Sequence, residues 1–364
     1  MTTRREVGLL RLVALGLVGA AAGTDATGAV RRVLAVQAQD LPGALTSVAL
    51  RTGSRDRSAV VAALDAGTVV RSWPMRGTLH LLAADDLPWL LPLAGPRMVA
   101  RCAPRHRELG LDDGVLARAG EVALLVLADG AALARTELMA AWERAGIGTG
   151  GERGYHLAVH LAQTGLICLG PTGPDRPGEQ LFVASGSWLP PGPVLDREDA
   201  LAELARRYLT GHGPASVADL ARWSSLPVTE VRRGVAAVRD RLAAVVVDGV
   251  EMLMDPATPD RLAACRAEAA QALLLPGFDE YLLGYADRDA VLAPEHAQRI
   301  VPGGNGVFRP TVVLDGQVVA TWKHTPSRRG VPAGIAVEGF DDLPDDVVAV
   351  VTRAHAARPW STSL

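Results

Sequence analysis

Apolar residues Leu9, Leu10, Leu12, Val13, Leu15, Leu17 and Val18 predict a core helix near the start of the chain. Arg4 and Arg5 ahead of it, and Gly19-Ala20-Ala21-Ala22 after it, imitate an export signal, but Arg11 interrupts the apolar run and favours the core reading. Up to Leu82 the pattern then reads as a second helix, a turn at Asp40 to Gly43, a helix at 58–66 closed by Gly67, a strand at 68–73, a turn at Pro74 and a strand at 77–82. Helices closed by a two-stranded wing describe a winged helix. The pattern recurs with helices at 134–146 and 153–163 and strands at 165–169 and 180–184 around a Gly/Pro-rich loop at 170–178. A third copy has a helix at 201–209, the loop Gly211-His212-Gly213-Pro214, Ser216 capping a helix at 217–223 and Thr229 capping one at 231–238. Strands at 244–247 and 250–254 flank Asp248-Gly249, a strong hairpin signal. From about Cys265 the chain turns to strand and loop, with a hairpin of strands at 311–314 and 318–322 around Asp315-Gly316, a strand at 334–338 and a closing helix at 344–356. The expected fold class is α+β. Three tandem winged-helix modules (1–110, 111–195 and 196–262) and a C-terminal β-rich region (263–364) would form one concave body.

Composition narrows the class. A chain of 364 residues, 49% hydrophobic and 21% charged, can bury a large core in two to four compact units. Cys102, Cys168 and Cys265 are widely spaced, odd in number and without C-x-x-C spacing, which fits neither a disulfide framework nor a zinc site and suits a reducing, cytoplasmic setting. No run approaches the roughly 18 apolar residues that a membrane span needs. Of 37 basic residues Lys323 is the single lysine, so arginine abundance reflects a GC-rich codon bias before it says anything about nucleic acid. The net charge of −3 conceals an uneven distribution, with 14 arginines against 8 acidic residues in 1–110 and 23 basic against 32 acidic residues in the remainder. A polyanion would therefore meet the first third of the chain.

Gln37-Ala38-Gln39-Asp40-Leu41-Pro42-Gly43 reads as a helix ending in two amides before a Pro-Gly break. Residues two apart on a helix diverge, but a helix end loosened by Pro42 would let both amides line one cavity. The bland alternative is that glutamines simply decorate helix ends. At this place the chain resembles the AlkZ glycosylases and their YcaQ-like relatives, which carry Q-hydrophobic-Q or Q-x-D in a first winged helix. The resemblance extends to Arg71-Ser72-Trp73-Pro74-Met75-Arg76-Gly77-Thr78-Leu79-His80, to residues 208–223, to Leu275-Pro276-Gly277-Phe278-Asp279-Glu280-Tyr281 and to Phe308-Arg309-Pro310-Thr311. Gln rather than Asp at position 39 is similar to the AlkZ branch and argues against a carboxylate mechanism.

The resemblance implies a DNA glycosylase, without metal or cofactor, acting as a monomer on double-stranded DNA that carries N7-alkylated or crosslinked purines. Azinomycin-type self-resistance is the expected setting. Gln37 and Gln39 would hold the attacking water. Arg71, Arg76 and His80 on the first wing, with Arg309 and Lys323 near a hairpin similar to the family's minor-groove probe, would contact DNA. Read as residues alone, the wing could equally be ordinary surface and the hairpin plain sheet. The rival function is a non-catalytic winged-helix regulator or damage-sequestering protein of the same fold.

Three other patterns carry less. Asp279 and Glu280 are adjacent and diverge, which favours structure over an acid/base pair. His156 and His160 have i, i+4 metal spacing with Glu152 one turn earlier, but the sequence shows no further ligand, which favours core or surface histidines over a metal site. Gly146-x-Gly148-x-x-Gly151 follows a helix instead of a strand, so the phosphate-cradle logic of a dinucleotide motif fails.

Overall fold

A computed structural model describes residues 2–19, 24–173, 176–326 and 334–356. The first region runs α1 (Arg4–Ala14), α2 (Ala26–Val33), β1 (Val36–Gln37), α3 (Leu41–Ala49), α4 (Arg57–Asp65), β2 (Val69–Met75) and β3 (Thr78–Ala83). The apolar stretch of α1 is core, as its spacing predicts, and the Ala20–Ala22 end of the export-like pattern lies outside the described residues. Arg11 is fully buried, donating from Nε to Pro214 O at 3.0 Å with its guanidinium 3.6 Å over the Tyr285 ring.

Two expectations for this region change. The wing turns at Arg76-Gly77, where both residues take positive φ (57° and 70°), the type I′ signature of a two-residue hairpin. Pro74 sits inside β2 at a register shift between Ser72 and Met75, where its missing N–H costs no ladder bond. Pro42 does not stop a helix. It occupies the first turn of α3, where an N–H would be unpaired in any case.

The second region holds α5 (Leu87–Glu108), α6 (Asp113–Val126), α7 (Arg135–Arg144), α8 (Arg153–Gln163), β4 (Ile167–Gly173), β5 (Arg176–Ala184) and the short α9 (Ser185–Trp188). The expected loop at 170–178 is largely strand, apart from residues 174 and 175, which lie outside the described set. Arg71 pairs with Leu169, so both wings join one antiparallel sheet in the order β1-β3-β2-β4-β5. α5 escapes a sequence reading because Pro92, Pro96 and Pro104 lie inside it, each removing a helical hydrogen bond.

The third region, α10 (Arg197–His212), α11 (Val217–Ser224), α12 (Val228–Val238), β6 (Ala243–Val247) and β7 (Val250–Met254), follows the pattern most closely. Ser216 and Asp219 form a capping box, and Asp248-Gly249 turns the hairpin with both φ positive. Pro227 rather than Thr229 precedes the first turn of α12. Beyond it come α13 (Thr258–Ala269), which the sequence reading passes over, β8 (Leu273–Leu275), α14 (Glu280–Leu283), α15 (Ala297–Ile300), β9 (Thr311–Leu314), β10 (Gln317–Thr325), β11 (Gly334–Gly339) and α16 (Asp345–Ala356). Their strands form a second antiparallel sheet, β11-β10-β9-β8.

The first, third and C-terminal regions share one continuous apolar core, whereas 111–184 packs mainly around a smaller core that includes Trp73, Trp142 and Leu157. The large core carries a buried arginine–aspartate ion pair. Arg51 Nη1 and Nη2 donate to Asp279 Oδ2 and Oδ1 at 2.8 and 2.9 Å, and Ser47 Oγ donates to Oδ2 at 2.7 Å. Burial alone would raise the Asp279 carboxyl, but Arg51, Ser47 and the Tyr281 N–H together hold it below its ordinary value. The pair's contribution is therefore complete above the ordinary carboxylate value and is lost as pH falls from there through the depressed value of the folded protein. Asp279→Ala would leave a fully buried arginine without its counterion and should cost about 3–5 kcal/mol in urea unfolding. A loss under about 1 kcal/mol would mean that water already screens the pair.

Candidate functional site

After α2 ends, Leu34 takes a φ of 65° and β1 pairs antiparallel with β3, Gln37 opposite His80. Pairing continues to Ala38, whose N–H donates to Leu79 O at 2.7 Å. β1 ends at Gln37 and Gln39 lies in the bend that follows, so the pair sits at the end of a strand and not of a loosened helix, with Gln37 buried and Gln39 exposed.

Side chains then reroute the ladder. Arg71 Nη2 takes Ala38 O at 2.6 Å, and the Leu79 N–H donates instead to Gln39 Oε1 at 3.2 Å. Arg71 Nη1 also donates to Gln180 Oε1 at 3.1 Å, tying β1 to β5 across the sheet. Burial pushes the Arg71 guanidinium down to about 10, with Asp40 opposing, so it remains a cation at neutral pH. Its hydrogen bonds hold the glutamine strand, where the sequence reading had it meeting phosphate.

His80 is fully buried, with Nδ1 2.9 Å from Thr78 O and Nε2 2.7 Å from Arg76 Nη2. Burial first, then the Arg76 charge, push its imidazole well below the ordinary value. A neutral ring that donates Nδ1–H to Thr78 O accepts from Arg76 through Nε2. Both ring nitrogens are thus used inside the fold, and the expected phosphate contact by His80 becomes the orienting of Arg76. Arg76 lies 5.8 Å from the Trp223 ring, and its Nε and Nη1 are buried without a partner among the described residues. Unmade donors on a buried cation are costly, and an incoming anionic oxygen would satisfy them.

Gln37 is 8% exposed, and its backbone N–H donates to Glu280 Oε1 at 3.4 Å. Among the described residues its side-chain amide has no hydrogen-bond partner, which leaves both an acceptor and two donors for a ligand or water. Glu280 is fully buried and accepts the Trp223 Nε1–H at 2.8 Å through Oε2, with His212 Nε2 3.3 Å away. The expected structural role of Asp279 and Glu280 matches this geometry. One carboxyl thus binds the Gln37 strand to α10 and α11.

Two arginines that the sequence reading missed converge here. Arg222 is exposed on α11, and its charge acts on both Arg76 and Arg288. Arg288 donates from Nε to Leu282 O at 2.7 Å, lies 5.0 Å from the Phe308 ring, and keeps Nη2 buried without a partner among the described residues. Burial, then Arg222, push it down to about 10. Charge counting hides Arg288 because Asp287 and Asp289 flank it, while Arg222 stands immediately before Trp223 in a stretch already singled out. The cationic cluster therefore draws on three regions and not on the first 110 residues alone. Arg309 and Lys323 are exposed, Lys323 on β10 opposite Ala336.

A family model described as DNA glycosylase AlkZ-like matches residues 30–357. The interstrand DNA cross-link repair glycosylase of Streptomyces sahachiroi is 30% identical over 367 residues, covering 93% of this chain and 92% of that protein. The solved structure of the Streptomyces sahachiroi DNA glycosylase AlkZ is similar with a TM-score of 0.80 at 28% identity, covering 99% of this chain and 97% of that one.

Arg76→Ala should raise the His80 pKa toward the ordinary imidazole value, because it removes the second cause of the depression. NMR titration of the ring protons reads this directly. An unchanged titration would assign the whole depression to burial.

Proposed function

The chain belongs to the AlkZ-like DNA glycosylase family, and on that premise we propose that it hydrolyses the N-glycosidic bond of N7-alkylated purines, including bulky adducts and interstrand crosslinks. The observation that carries this reading is the Gln37 amide, without a partner among the described residues, on a strand pinned by Glu280 beside the unmade donors of Arg76. An N7-alkylated purine is cationic and already a good leaving group. As its bond to the sugar C1′ breaks, the electron pair passes to the base, the oxygen of a bound water joins C1′, and the water's proton leaves to solvent. An amide is too weak a base to take that proton at neutral pH, but its carbonyl oxygen can orient the water. Gln37 offers both lone pairs, and Gln39 Oε1 keeps one while accepting from Leu79. So mild a site would cleave activated lesions and leave normal bases intact.

In this reading the three winged-helix modules (1–110, 111–195, 196–262) and the C-terminal region (263–364) cradle the duplex. Arg76, Arg222 and Arg288 meet phosphates near the lesion, with Arg309 and Lys323 further out and the β9–β10 hairpin in the minor groove. The protein acts as a cytoplasmic monomer without cofactor, with azinomycin-type crosslinks as its expected lesions; a role in crosslink repair fits the name of the Streptomyces sahachiroi relative.

Gln37→Ala and Gln39→Ala should each lower release of 7-methylguanine from a methylated duplex by at least about tenfold with little change in DNA affinity, because they act on the chemical step. Equal losses in binding and release would make them contact residues, and full activity in the double variant would end this mechanism. The reaction should also be monofunctional. A strand-cutting glycosylase needs an amine that forms a Schiff base with the opened sugar, and Lys323, the single lysine, is exposed on β10. Borohydride added during turnover should trap no protein–DNA adduct. Efficient trapping that Lys323→Ala abolishes would move the chemistry to the hairpin.

A further inference from the structure

α5 and α8 face one another in the second region, and each carries an i, i+4 pair of metal-ligating side chains. The pairs are Cys102 and His106 on α5, and His156 and His160 on α8. The sequence reading saw the second pair and found no further ligand; the fold supplies it. One ligand atom each from Cys102, His106 and His156 lie within 4.8 Å of one another. The His106 ring centroid stands 5.4 Å from that of His156 and 5.7 Å from that of His160.

We propose that Cys102, His106, His156 and His160 bind one zinc-class divalent ion that fastens the C-terminal end of α5 to α8. His106 is 5% exposed, yet its Nε2 is buried without a partner among the described residues, as are His156 Nδ1 and His160 Nδ1. Three unmade imidazole nitrogens in one cluster are a cost that a packing role does not explain, and a cation would satisfy all three. A tetrahedral ion with bonds of about 2.0–2.3 Å sets its ligand atoms about 3.4–3.7 Å apart. Small rotations of side chains at the rim of a helix pair cover the difference. His160 lies outside that group of three and would have to rotate to supply the fourth position.

The outer contacts fit as well. Glu152 Oε2 lies 3.9 Å from His156 Nε2, the nitrogen opposite the unpaired Nδ1, and is held by Arg105 Nη2 at 2.6 Å. At 3.9 Å no hydrogen bond is made; a small rotation would give the carboxylate–imidazole contact that commonly fixes a ligating imidazole's tautomer. Burial lowers the pKa of all three histidines, favouring the neutral form that ligates. One thiolate with imidazoles suits a borderline ion such as Zn(II) better than a hard cation. Four protein ligands leave no open position, so the ion is structural. Pro104, between Cys102 and His106, deletes a hydrogen bond from this part of α5, and a metal clip would restore its rigidity.

The test uses untagged full-length protein, stripped with chelator and titrated with Co(II). The expected result is one equivalent bound, with tetrahedral d–d absorption and a thiolate-to-cobalt charge-transfer band, both lost when Zn(II) displaces the cobalt. Cys102→Ser should abolish the charge-transfer band, and His160→Ala should weaken affinity at least tenfold, while both variants still release base at the parent rate. Thermal unfolding should shift upward with Zn(II) in the parent protein and not in His156→Ala. Folded protein that binds no stoichiometric cobalt, or a spectrum that Cys102→Ser leaves unchanged, would overturn the proposal.

Discussion

Two adjacent buried carboxyls, Asp279 and Glu280, hold the candidate site together. They sit at the start of α14, in the stretch from Leu275 to Tyr281 that carries part of the family resemblance. Asp279 faces Arg51 and Ser47 on the α3 side, and Glu280 faces the Gln37 strand, Trp223 and His212. Adjacent side chains diverge, and that divergence lets one dipeptide reach two partners. Burying carboxyls in an apolar core is expensive unless every lone pair finds a donor. The partners come from positions 37–51, 212–223 and 279–280, so this requirement fixes how three distant stretches meet. Close packing reinforces it: a Cβ on Gly284 would stand 2.8 Å from His212 Cδ2, so a larger residue there would displace the ring beside Glu280.

The site stores unfavourable electrostatics. Arg76 and Arg288 are desolvated cations with buried N–H groups that have no partner among the described residues, and Arg222 adds like charge. Such an arrangement is poor for stability and good for binding, since a phosphate or a base oxygen gains charge-assisted hydrogen bonds without first stripping water from the donors. His80 serves the same end. Held neutral, it accepts from Arg76 without adding another charge. The proposed amide chemistry needs little more, because an alkylated base brings its own leaving-group activation.

Short-range signals in the sequence were legible where local chemistry decides. Ser216 with Asp219, Asp248-Gly249 and Asp315-Gly316 set their cap and turns as expected. The glutamine pair stands out in the sequence, but its backbone does not, because the choice between helix end and strand at Val36–Gln37 depends on pairing with β3 more than forty residues later. At Arg71 and His80 a sequence shows charge and not burial. The fold turns Arg71 onto Ala38 O and His80 onto Arg76. Proline-rich α5 concealed both a helix and the Cys102–His106 pair on it. Arg222 and Arg288 needed the tertiary structure, because only there do charges from separate regions act on one another.

On the proposed mechanism Glu280 holds the glutamine strand in register for the reaction. Glu280→Gln keeps size and shape but places an NH2 where three donors converge. Amide hydrogen exchange at Gln37, measured with single-turnover base release on the same folded protein, tests it. The account predicts faster exchange at Gln37 and release slowed at least about tenfold, with DNA affinity retained. Unchanged exchange and unchanged release in a folded Glu280→Gln protein would contradict it.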